Sequence, residues 1–72
     1  MTAHSHGEAA VEEIVRALRG PRVLTRHRLL EAVDAADWPS GMFNSALAGA
    51  IKQGRVRRLA DGLLEIAPNE YR

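Results

Sequence analysis

Apolar and polar residues recur along this chain with a period that changes from stretch to stretch, and each period predicts an element. Val11, Ile14, Val15 and Leu18 recur at helical spacing and predict a first helix over residues 8–19. Glu8 falls in its first turn and Arg19 in its last, an order that suits the helix dipole. "GP" at 20 and 21 is expected to end it, with Gly20 in a left-handed cap and Pro21 unable to continue the ladder. The following "RVL" is too short for a helix and reads as a short strand, after which Thr25 is placed to cap a second helix over 26–35. In that helix Leu29, Leu30 and Val33 turn inward, and Arg26, Arg28, Glu31 and Asp34 outward.

"AADWPSG" breaks the period. Pro39 disfavours a helical Trp38 and fits the first turn of a third helix, over 39–53, with Asp37 or Ser40 as the expected cap. Phe43, Leu47, Ala50 and Ile51 form its apolar stripe, and Gly54 closes it. Ser40, Gly41, Asn44, Ser45, Ala48, Gly49 and Lys52 are left on the outer face. Trp38 reads as an anchor at the corner between helices rather than as a stacking platform. The segments "RVRRLA" and "LLEIA" flank Asp61-Gly62, a strong signal for a two-residue hairpin turn, because both central positions need positive φ. That turn would set Leu59 opposite Leu64 and Arg58 opposite Glu65. Val56 is then out of phase with Leu59, which calls for a bulge or a longer loop. Residues 1–7 read as a flexible N-terminal tail, 8–67 as one domain and 68–72 as a C-terminal tail.

The composition narrows the function. A chain of 72 residues is one small domain with a single core, and with three aromatic residues, Trp38, Phe43 and Tyr71, that core must be aliphatic. Cysteine is absent, so neither a disulfide nor a thiolate metal site is expected, and a cytoplasmic setting is the default. No apolar run approaches the roughly 20 residues that span a bilayer, so no membrane partner is expected. His4 and His6 lack the carboxylate or thiolate neighbours that a tetrahedral site needs, and no metal or other cofactor is expected. A nucleophile held by an oriented base is missing too, with His27 alone on a helix surface, so the chain does not read as an enzyme.

The net charge is only +1, but it is unevenly spread. Arg16, Arg19, Arg22, Arg26 and Arg28 form one acid-free block, and Lys52, Arg55, Arg57 and Arg58 another, with Glu31, Asp34 and Asp37 between them. A charge run is ordinarily a solvated face, and nine arginines against one lysine also fit a GC-rich coding sequence.

The order helix, short strand, helix, tight corner, helix, hairpin, carried by "LTRHRLLEAV", "WPSGMFNSALAGAIKQG" and "RVRRLADGLLEIA", resembles the winged helix-turn-helix family over residues 8–67. The resemblance implies a mainly α fold with a small antiparallel two-stranded wing. It also implies a double-stranded DNA partner, with helix 3 in the major groove and the wing on the backbone, as in a transcriptional regulator or accessory factor. Asn44 would pair with adenine, Ser45 with a base or phosphate, and Ala48 with a thymine methyl. Ser40 belongs to the same face. Lys52, Arg55, Arg57 and Arg58 would follow the phosphates on one side, Arg26 and Arg28 on the other. The competing reading keeps the fold and changes the partner to a protein or a second copy, approached through the small residues Ser45, Ala48 and Gly49 and through an exposed Leu63.

Overall fold

The computed structural model describes the backbone of residues 3–70 and the side chains of residues 7–70, so His4, His6, Tyr71 and Arg72 lie outside the described side chains. Three helices, α1 (Ala3–Arg19), α2 (Arg26–Ala32) and α3 (Met42–Lys52), combine with three strands, β1 (Val23–Thr25), β2 (Val56–Arg58) and β3 (Leu63–Ile66). Single 3-10 turns occupy Ala35–Asp37 and Pro68–Glu70. The strands form one antiparallel sheet in the order β1-β3-β2. The hairpin is therefore not a free two-stranded wing: β1 covers the other edge of β3, pairing Val23 with Glu65, Leu24 with Leu64 and Thr25 with Leu63.

α1 begins at Ala3, before the stretch that its apolar period defines, so residues 3–7 are helical rather than a tail and the first turn holds no acid. Ile14, Val15 and Leu18 are fully buried, and Ala10 and Val11 nearly so. Ile14, Val15 and Leu18 each contribute roughly 1.5–3 kcal/mol by leaving water. The helix does not end on a left-handed Gly20. A residue before proline is pushed towards extended backbone, and the left-handed position passes to Arg22, at φ 73°, whose N–H donates to the Leu18 carbonyl at 2.7 Å. Arg22 O then accepts from Ile66 N and continues the sheet.

Thr25 caps α2 as its position predicts, its Oγ1 accepting from the Arg28 N–H at 3.1 Å. α2 stops at Ala32 because Asp34 turns left-handed, a conformation that aspartate tolerates, and a 3-10 turn carries the chain to an extended Trp38. α3 starts at Met42, not at Pro39. Gly41, at φ 82°, stands at its N-cap, and neither Asp37 nor Ser40 caps it. At the other end Gly54, at φ 78°, donates to the Ile51 carbonyl and Arg55 N–H to that of Ala50, the paired bonds of a Schellman stop.

Phe43, Ala46, Leu47 and Ala50 are the buried residues of α3; Ile51 is only half-buried. Trp38 packs at the corner, its ring 6.1 Å from that of Phe43. In the hairpin, Asp61 and Gly62 both take positive φ, at 65° and 74°. Leu63 N–H donates to Ala60 O, while Leu59 N–H donates to Leu63 O, so Leu59 and Ala60 together oppose Leu63 as a bulge. The extra residue moves the register by one: Arg57, not Arg58, faces Glu65, and Arg58 faces Leu64. Val56 thereby joins Leu64 and Ile66 in the core.

Replacing the fully buried Ile14 by alanine should lower the unfolding free energy by about 2–5 kcal/mol in urea denaturation. Loss of less than about 1 kcal/mol would mean that α1 is not the floor of the core.

Candidate nucleic-acid interface

The residues expected to meet DNA divide among several surfaces. A cleft of about 360 Å³ between the start of α2, the exposed face of α3 and the hairpin is lined by Arg26, Asn44, Ala48 and Arg58, over Leu47, Leu64 and Gly62. None of the lining residues is a carboxylate. Arg26 reaches across from the first position of α2. Its guanidinium carbon stands 5.2 Å from the centroid of the Phe43 ring, and its Nη2 donates to Asn44 Oδ1. Arg58 reaches the cleft because it shares a face of β2 with Val56, two residues before it, and the bulge turns that face towards the core.

Ser40 and Ser45 are exposed but line a different groove, shared with Val11 of α1 and with Met42. Lys52 and Arg28 are exposed as well. Among the described residues, the side chains of Arg28, Lys52 and Arg58 make no ion pair or hydrogen bond. Gly49 is half-buried at the edge of the outer face: a Cβ there would lie 3.9 Å from Val11 Cγ2 of α1. Leu63 is half-buried beside Thr25 rather than exposed.

Two of the expected phosphate ligands have other partners. Arg57 points to the opposite face of the sheet and stands 3.8 Å from Glu65 across the strands. Arg55 is turned towards α1 and the C-terminal segment. It meets Glu70 through two bonds, Nε to Oε2 at 3.2 Å and Nη2 to Oε1 at 3.1 Å, and Glu12 through Nη1 at 2.6 Å. Arg19 adds a second cation at Glu70, 3.4 Å away. The side chains of Arg55 and Glu70 are 21% and 11% exposed, so this cluster is half withdrawn from water, and residues 68–70 are held rather than a loose tail. No periodic signal marks the cluster, because its members are 43 and 15 residues from Arg55 along the chain.

Hydrogen bonds from Arg55 hold the Glu12 and Glu70 carboxyls below the usual carboxylate range, and those two carboxylates in turn raise Arg55. Elsewhere Glu13 pairs with Arg16 and Glu31 with His27. Glu31 and Asp34 line a separate depression with His27 and Leu30. Among the described residues, no group of three metal-binding side chains forms. No helix among them is long and apolar enough to cross a membrane. Comparison of the chain with protein-family models, with curated proteins and with solved structures finds no match in any of the three.

Because Glu12 and Glu70 bind protons less tightly folded than unfolded, the unfolded state takes up more protons as the pH falls, and stability rises with pH through this window. The contribution of the cluster should be complete above the usual carboxylate range and be lost as pH drops through the lowered values. Denaturation at about pH 7 should show a loss of about 1–2 kcal/mol in R55A, and the E12Q/E70Q variant should have a flatter acid limb than the wild type. An unchanged acid limb would remove the cluster from the stability account.

Proposed function

We propose that the chain is a winged-helix DNA-binding module, a transcriptional regulator or accessory factor that presents α3 to the major groove and the hairpin to the neighbouring backbone. The observation that carries this reading is the α3–hairpin cleft: two arginines and an asparagine converge there with no carboxylate among them. With a net charge of only +1, a cationic surface has to be made by sorting. Glu12, Glu13, Glu65 and Glu70 are engaged by arginines elsewhere, which leaves Arg28, Lys52 and Arg58 unneutralised among the described residues.

Unpaired cations of this kind attract phosphate and release its counterions, an effect that positions a duplex without reading it. The exposed face of α3, small and lightly polar at Asn44 and Ala48, lets a base edge come close. Asp61 at the hairpin tip opposes deep insertion into the minor groove, so the hairpin acts along the backbone. The protein-partner alternative is narrowed at one of its three small residues, since Gly49 is half-buried beside Val11 of α1.

Fluorescence anisotropy with a random-sequence duplex tests the proposal. With Arg28, Lys52 and Arg58 each neutralising one phosphate, affinity should fall about fortyfold between about 50 and 200 mM salt, at a slope of about −0.9 per phosphate. K52A/R58A should reduce the slope by about 1.8, whereas R57Q should leave it unchanged. Absence of salt-sensitive binding overturns the function. An equal effect of R57Q overturns the choice of surface.

A further inference from the structure

The contact between Arg26 and Asn44 changes what the cleft can read. A guanidinium has only donors, so the atom of Asn44 that meets Arg26 must be the amide oxygen, whichever way the amide is drawn. Asparagine recognises adenine by accepting from N6–H with that oxygen while donating to N7 with its nitrogen. Here the oxygen already serves Arg26. With one lone pair of that oxygen taken up, the pair offers mostly N–H donors, the Asn44 amide nitrogen and the remaining edge of the guanidinium, against a single acceptor site left on Asn44. One Nη2 hydrogen spent on Asn44 leaves one complete two-donor edge of the arginine free.

Resting on the DNA-binding reading above, we propose that Arg26 is the base-reading residue of the cleft, that it selects guanine, and that Asn44 is its positioning residue. Guanine alone presents two acceptors, O6 and N7, on its major-groove edge; adenine sets a donor beside N7, which would face a donor. Arg26 is suited to discriminate because it is restrained twice, by the face of the buried Phe43 ring and by Asn44. A fork held in one pose loses little rotamer freedom on binding and keeps its planar geometry. Arg28, Lys52 and Arg58 have no such restraint and suit the variable path of phosphates. The methyl side chain of Ala48 leaves the wall beside Asn44 low enough for a base edge to enter the cleft.

The test is selection by the full chain from a randomised duplex pool, followed by anisotropy on the enriched duplex. The wild type should enrich a guanine whose replacement by adenine weakens binding about tenfold, and whose replacement by 7-deazaguanine, which lacks the N7 acceptor, also weakens it. R26K keeps the charge but not the fork, so it should abolish the guanine preference while leaving the salt slope intact. N44D keeps an acceptor for Arg26, and should retain the preference at lower overall affinity. Enrichment of adenine that N44D abolishes, or a guanine preference that survives R26K, overturns the inference. Salt-sensitive binding with no enriched base overturns it too and leaves the proposed function standing, whereas no duplex binding at all overturns both.

Discussion

The central strand β3 sets the facing of everything around the cleft. Leu64 and Ile66 must point into the core against the helices, and strand alternation then forces Glu65 outward. Its neighbours follow. Leu24, Val56 and Arg58 share the inward face with Leu64 and Ile66, while Val23 and Arg57 share the outward face with Glu65. Arg58 can reach the cleft only because the inward face runs past the edge of the core there, beside Leu47 and Asn44. A strand packed by two leucine-sized side chains thus decides which arginine meets α3 and which meets a glutamate.

The bulge at Leu59 and Ala60 serves the same constraint. A plain two-residue hairpin would pair Arg58 with Glu65 and turn Val56 away from the core. One extra residue on β2 restores agreement between the apolar pattern of that strand and the pattern of β3, so burial of Val56 overrides the simplest turn geometry.

Periodic features were legible in the sequence. The apolar spacing of α1 and α3, the Thr25 cap, the Gly54 stop, the Trp38 corner and the Asp61-Gly62 turn all rest on local stereochemistry, which a short window contains. Even the bulge was announced by the mismatch between Val56 and Leu59. The partners of the arginines were not legible, because pairings such as Arg55 with Glu12 and Arg26 with Asn44 depend on how distant segments fold onto one another. Arg55 and Arg57 look like Arg58 in a run of "RVRR", and only three-dimensional placement separates two neutralised cations from an unpaired one. The third strand was foreseen as an isolated segment, since nothing in "RVL" says which edge it will cover.

Besides Phe43 and Leu47, the hidden side of α3 carries very small groups: Ala46 and Ala50 are buried, and Gly49 lies beside Val11. These let the axes of α1 and α3 approach closely, and so fix how high the opposite side of the helix stands above the hairpin. The depth of the cleft is thereby inherited from methyl and hydrogen substituents that never touch its contents. Two chains with identical outward residues but bulkier interiors would hold the same side chains at different heights above the hairpin, and so would shape a different cleft.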